Sequence, residues 1–192
     1  MLRLLQGDVG SGKTIVAALI ASSIVADNKQ VAILAPTTIL ANQHYQNFVQ
    51  WFGYNDEIEL LTSKIAAKEK RQIYQKIQSG KTKVIIGTHA VFQKDVVYKS
   101  LSLVIYDEQH RFGVSQRLKL KEKSENFPHQ LLLSATPIPR TMAMGVLSGL
   151  DVSTIKSLPP NRKPIVTSTL PNKRRGALIT RIKSAISEGA QV

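Results

Sequence analysis

Cysteine is absent from this 192-residue chain, which excludes a disulfide scaffold, a thiolate-ligated zinc site and a thiol nucleophile. Aromatic residues make up only 6% and are scattered, so no stacking platform for single-stranded bases stands out. Acidic side chains are scarce too: 13 Asp and Glu face 26 Lys and Arg, leaving a formal charge of +13. That imbalance predicts a polyanionic partner, most simply nucleic acid bound through its phosphates. Each basic cluster taken singly, such as Lys68-Glu69-Lys70-Arg71 or Lys173-Arg174-Arg175, reads equally well as solvated surface. Long apolar runs are missing. Residues 15–21 end at Ser22, well short of the ~20 residues a membrane span needs. Met1-Leu2-Arg3-Leu4-Leu5 lacks the apolar region of a signal peptide, so no membrane partner is expected. His44, His89 and His129 stand apart and suggest no transition-metal site.

What is present is a soluble globular composition, 43% hydrophobic, in which short β-branched runs alternate with segments of helical period. This is the pattern of repeated βαβ units around a mostly parallel sheet with helices on both faces. The predicted strands are residues 2–6, 31–35, 58–62, 83–87, 103–107 and 130–134, and the predicted helices are 13–26, 38–52 and 66–78. In the third helix Ile65, Ile73 and Ile77 share one face. Past Leu150 the texture changes, and Leu158-Pro159-Pro160-Asn161 cannot continue a helix. The expected organisation is therefore one α/β domain over 1–156, a linker over 157–163, and the opening βα of a second, incomplete domain over 164–192. In that last part a strand is expected over 164–170, a helix over 173–187 and the start of a strand at 191–192, which would make the chain a piece of something longer.

Gly7-Asp8-Val9-Gly10-Ser11-Gly12-Lys13-Thr14 satisfies the phosphate-loop pattern between an apolar strand and an amphipathic helix. Small residues let the backbone wrap a phosphate, and the amides point inward at a helix N-terminus whose dipole favours an anion. Lys13 is placed for the β- and γ-phosphates and the Thr14 hydroxyl for Mg²⁺. The fixed positions recur by chance in roughly one chain in a hundred of this length. Asp107-Glu108-Gln109-His110 follows the apolar strand ending at Tyr106. Alone it reads as a solvated cap. Downstream of a phosphate loop, Asp107 suits Mg²⁺ and Glu108 suits activation of the attacking water. Ser134-Ala135-Thr136-Pro137 closes another strand at the same carboxyl edge, where open α/β sheets bind ligands; on its own it is a turn and helix cap.

These motifs in this order resemble the superfamily 2 helicases. Residues 6–14 (QGDVGSGKT), 87–92 (GTHAVF), 107–114 (DEQHRFGV), 135–141 (ATPIPRT) and 158–162 (LPPNR) are similar to the RecG family of bacterial branched-DNA helicases, with the Mfd family a close relative. The resemblance spans essentially the whole chain. It implies a P-loop NTPase of RecA-like fold, the first motor domain of an ATP-dependent helicase. ATP would be held by Gly7, Asp8, Val9, Gly10, Ser11, Gly12, Lys13 and Thr14, Mg²⁺ by Thr14 and Asp107, with Lys13, Asp107 and Glu108 catalytic. It further implies coupling of ATP to DNA through His110, Ser134, Thr136 and Arg140, and contact with the DNA backbone by Pro36, Thr37, Gly87, Thr88 and His89. The implied partners are branched or forked duplex DNA and the rest of a longer helicase chain, a wedge domain and a second motor domain, in a monomer of the bacterial cytoplasm. The family's adenine-reading glutamine motif would fall upstream of Met1, and its arginine fingers would come from the second motor domain. The chain by itself is thus expected to bind nucleotide weakly and hydrolyse it slowly. Two other readings stay open: an Mfd-type translocase acting on RNA polymerase, and a non-catalytic DNA-binding module that keeps a nucleotide as a structural ligand.

Overall fold

A computed structural model describes residues 1–53, 57–108, 127–136, 149–157 and 167–191. The chain divides into two compact units, Met1–Pro159 and Pro160–Val192. In the first unit the order is β1 (Leu2–Gly7), α1 (Lys13–Ala26), β2 (Gln30–Leu34), α2 (Thr38–Phe52), β3 (Ile58–Leu61), α3 (Ala67–Ser79) and β4 (Val84–Gly87). A 3-10 turn (His89–Phe92), β5 (Leu101–Asp107), β6 (His129–Ser134) and β7 (Asp151–Ile155) follow. The seven strands form one sheet in the order β3-β4-β2-β5-β6-β1-β7, and every neighbouring pair is parallel.

Two hydrophobic layers follow from strand alternation and crossover handedness. From β1 to β2 and from β2 to β3 the chain moves one way across the sheet, and from β3 to β4 it reverses. Right-handed crossovers then put α1 and α2 on one face and α3 on the other. Accordingly Ala17, Ala18, Ala21 and Phe48 pack with Leu5, Val31, Ile33, Leu103, Ile105, Leu131 and Leu133. On the opposite face Ile73 and Ile77 pack with Leu4, Ala32, Leu34, Val104, Tyr106 and Leu132; Ile65 lies half-buried against the same cluster, but it precedes α3 and does not belong to its helical face, against the expectation. The centre of β2 and β5 is buried on both sides, hence their unbroken apolar character. Three alanines on the inner stripe of α1 let the helix that follows the Gly-rich loop lie close on the sheet. Phe48 stacks on Phe52 at 5.4 Å between ring centres, while Trp51 is partly exposed.

One polar staple ties the far end of this sheet together. Gln30, fully buried at the start of β2, donates from Nε2 to the Ile77 and Thr82 carbonyls at 2.9 and 2.8 Å. Its Oε1 accepts from the Lys99 and Ser100 amides at 2.8 and 2.9 Å. A buried amide is tolerated when its donors and acceptors are met in this way. Near the carboxyl edge, Tyr98 donates its hydroxyl to the Val91 carbonyl at 3.2 Å, bracing the 3-10 turn. Burial, aided by Tyr74 and Tyr106, pushes this phenol's pKa up, so it stays a donor.

Strand and helix positions agree with the sequence pattern to within one or two residues at most ends, but β7 was not expected. Its sequence, Asp-Val-Ser-Thr-Ile, is short and polar because it is an edge strand with no fully buried residue, so it lacks the apolar run that marks the central strands. It pairs with β1, opposite Arg3 to Gly7, and Arg3 reaches across to Ser153 and Asp151 at 2.7 and 3.2 Å. In the second unit a 3-10 turn (Asn172–Arg174) leads into α4 (Arg175–Ser187), close to the predicted helix. Residues 167–170 are not in a strand and neither is Gln191, against the expectation of strands there; 164–166 and Val192 lie outside the described residues, as do 158–163 of the expected linker.

Candidate nucleotide-binding site

The separate motifs meet at the carboxyl edge of three adjacent strands. In register, Gln6 of β1 lies opposite Ser134 of β6, and Leu133 of β6 lies opposite Asp107 of β5. Gly7, Ser134 and Asp107 therefore end neighbouring strands at nearly one level, where parallel sheets bind ligands.

Between β1 and α1 the Gly-rich loop is built to receive an anion. Gly10 and Gly12 have φ of 79° and 92°, the left-handed region that favours glycine. Gly12 forms the N-cap of α1 with no side-chain cap, leaving helix amides for a ligand. A Cβ on Gly7 would come within 2.5 Å of Ser11 Oγ and 3.2 Å of Ile155 Cβ, so a larger residue would crowd the loop. Two further observations fit a phosphate. Ser11 Oγ is buried with no hydrogen-bond partner among the described residues. The Lys13 ammonium folds back to donate to the Gly7 and Asp8 carbonyls at 2.7 and 2.9 Å, a charge held by neutral acceptors within the loop. Asp8 Oδ1 in turn accepts from the Val9 amide at 2.7 Å.

Across the edge, β5 delivers Asp107 and Glu108. Asp107 is mostly buried, and its Oδ2 lies 2.7 Å from His44 Nε2. A carboxylate only accepts, so this bond requires the Nε2 proton. The next residue, Glu108, has φ of 53°. A left-handed conformation costs a non-glycine residue ~1 kcal/mol, and here it turns the chain sharply off the strand. After β6, Ser134 and Thr136 close a compact turn: Ser134 Oγ donates to the Thr136 carbonyl at 3.0 Å and accepts from the Thr136 amide at 3.2 Å. Ser134 is buried and Thr136 exposed, so of the two only Thr136 presents a hydroxyl to the surface. His110 and Arg140 lie outside the described residues.

The β2 and β4 ends carry the residues picked as nucleic-acid contacts. Leu34 of β2 is in register with Gly87 of β4, so Pro36 and Thr37 emerge beside Thr88 and His89 on adjacent strands. Thr37 caps α2, its Oγ1 accepting from the Leu40 amide at 3.2 Å, and it remains exposed, as does His89. Gly87 differs from its neighbours: it is buried, and a Cβ there would sit 2.1 Å from the Leu61 carbonyl oxygen and 2.7 Å from Val91 Cγ2. Its requirement for glycine comes from the close approach of β3, which sequence pattern alone does not reveal.

His44 is the functional-site residue that sequence reasoning missed. It looked isolated because its partner is 63 positions away. A signal was available: Ala41, His44 and Phe48 form the buried stripe of α2, and an imidazole on an apolar stripe needs a polar partner.

The DEAD/DEAH box helicase family model matches residues 3–144. The chain is 51% identical over 189 residues to the ATP-dependent DNA helicase RecG of Haemophilus influenzae, covering 96% of this chain and 27% of that protein. It is 50% identical over 196 residues to the ATP-dependent DNA helicase RecG of Escherichia coli, covering 100% of this chain and 28% of that one. Among solved structures, RecG bound to a three-way DNA junction superposes with a TM-score of 0.79 at 40% identity, over 98% of this chain and 25% of that one. The helicase domain of Pyrococcus furiosus Hef shares the fold, with a TM-score of 0.64 at 23% identity over 81% of this chain and 35% of that one. The chain thus spans about a quarter of the length of the RecG relatives it matches.

Proposed function

This chain belongs to the DEAD/DEAH box helicase family, and from that premise we propose that it is the ATP-binding half of a motor that moves along and remodels branched duplex DNA. The observation that carries the reading is the convergence of the Gly-rich loop, Asp107-Glu108 and Ser134 at the ends of three neighbouring parallel strands. In this reading the loop amides and Lys13 bind the β- and γ-phosphates of ATP, and Thr14 and Asp107 hold Mg²⁺. Magnesium, when bound, neutralises phosphate charge and orients the γ-phosphoryl group. Glu108, turned off the strand by its left-handed backbone, takes the proton of the attacking water. Pro36, Thr37, Gly87, Thr88 and His89 contact the DNA backbone, and Ser134, Thr136, His110 and Arg140 couple ATP to DNA.

The branched-DNA preference rests on likeness to RecG proteins along the whole chain, including one bound to a three-way junction. That likeness favours RecG-type remodelling over the Mfd-type reading. A static nucleotide module gains nothing from a strained glutamate beside the Mg²⁺ ligand, which argues against the non-catalytic reading. We further propose that the chain works within a longer monomeric protein, residues 1–156 as its first motor domain and 164–192 as the opening of a second, in the bacterial cytoplasm. Among the described residues no helix is long and apolar enough to cross a membrane. Two titrations of the chain test the proposal. Fluorescent ADP should bind in a Mg²⁺-dependent manner, and a three-way DNA junction should bind with log K falling linearly against log salt. A salt-independent DNA affinity would remove the phosphate-tracking role, and nucleotide binding that does not depend on Mg²⁺ would remove the metal role of Thr14 and Asp107.

A further inference from the structure

The bond between α2 and the end of β5 asks why a histidine occupies the buried stripe of a helix. Ala41 and Phe48 on either side are buried, Phe48 within the hydrophobic layer on this face of the sheet, and an apolar side chain at 44 would continue that stripe. Instead the imidazole, 9% exposed, is held by one short bond, Nε2 to Asp107 Oδ2 at 2.7 Å. Its Nδ1 has no hydrogen-bonding partner among the described residues. Asp107, for its part, makes its side-chain bond among the described residues through Oδ2. A carboxylate at a strand end otherwise turns freely between rotamers, and ordering it costs conformational entropy that a pre-formed bond removes.

We propose that His44 is a positioning residue for the Mg²⁺ site: its Nε2 proton commits Asp107 Oδ2 to the protein, fixes the plane of the carboxylate and leaves Oδ1 for the ion or its water. This is the arrangement by which a neighbour's hydrogen bond orients a carboxylate ligand. It also anchors α2, whose first turn is capped by the exposed Thr37, to the residue that meets the metal. The inference rests on Asp107 holding Mg²⁺, as proposed above.

The test follows Mg²⁺ rather than turnover. Fluorescent ADP is titrated into the wild-type chain, His44→Met and His44→Gln at a series of Mg²⁺ concentrations and again in EDTA. Methionine fills similar space without a donor, and glutamine carries an amide N–H the same number of bonds from Cβ as Nε2. His44→Met should need roughly tenfold more Mg²⁺ at half-saturation, the size of a lost bond to a charged group, with ADP affinity in EDTA unchanged. His44→Gln should recover most of that loss. A His44→Met protein with wild-type Mg²⁺ dependence, or a His44→Gln protein as impaired as His44→Met, overturns the proposal. Absence of any Mg²⁺ effect in the wild type overturns instead the metal role of Asp107. Should His44→Met fail to fold, the ¹⁵N shifts of the wild-type imidazole decide: a protonated Nε2 bonded to Asp107 with and without Mg²⁺-ADP supports the positioning role, and its loss on Mg²⁺-ADP binding contradicts it.

Discussion

Lys13→Ala should weaken nucleotide binding by a factor that the geometry of the loop bounds. In this structure the ammonium already donates to two carbonyls, at 2.7 Å to Gly7 and 2.9 Å to Asp8, so phosphate must compete with bonds in place. A unit positive charge about 4 Å from a phosphate oxygen near a protein surface gains ~4 kcal/mol at an effective dielectric of ~20. Giving up two carbonyl bonds to a charged donor, each worth about 1.5 kcal/mol net, offsets roughly three quarters of that. The remaining ~1 kcal/mol corresponds to a Kd raised about fivefold. Titration of fluorescent ADP into wild-type and Lys13→Ala protein at saturating Mg²⁺ measures it, with circular dichroism confirming that both are folded. A change below about threefold, less than ~0.7 kcal/mol, would mean that Lys13 is a loop staple and does not touch the nucleotide.

Two further substitutions test the scaffold behind the site. Gln30→Leu strands the acceptors at Ile77 and Thr82 and the donors at Lys99 and Ser100; at about 1 kcal/mol for each of the two fully buried bonds and less for the part-exposed pair, urea unfolding should show a loss of ~3 kcal/mol. A loss under ~1 kcal/mol would show that water replaces the staple. Gly87→Ala should lower the thermal midpoint by roughly 5–10 °C, because the methyl group must displace the Leu61 backbone at a cost of about 2–3 kcal/mol. An unchanged midpoint would show that β3 can move aside and that the glycine is not required by packing.

Much of this architecture is legible in the sequence for a physical reason. Central parallel strands such as Val31-Ala32-Ile33-Leu34 are buried on both faces and so are apolar throughout, and the Gly-rich loop has a spacing that few other structures require. Legibility fails where a residue's role comes from a neighbour distant in the chain. β7 is polar because it is an edge, Gly87 is glycine because Leu61 passes close, and His44 is buried because Asp107 is there. Each of these needs the sheet order before it can be seen.

The central claim is that ATP hydrolysis at Asp107-Glu108 is driven by DNA, and hydrolysis rate measures it most directly. Because the chain is 50% identical to Escherichia coli RecG across its whole length, a chimera can carry it in place of the corresponding residues of that helicase. ATP turnover is then compared with and without a three-way DNA junction, alongside Glu108→Gln in the same background. The account predicts strong stimulation by the junction and at least a hundredfold loss in Glu108→Gln, ~2.7 kcal/mol of barrier. A folded chimera that binds nucleotide yet hydrolyses it at the same rate with and without DNA, or a Glu108→Gln protein within about tenfold (~1.4 kcal/mol) of its parent, would contradict it.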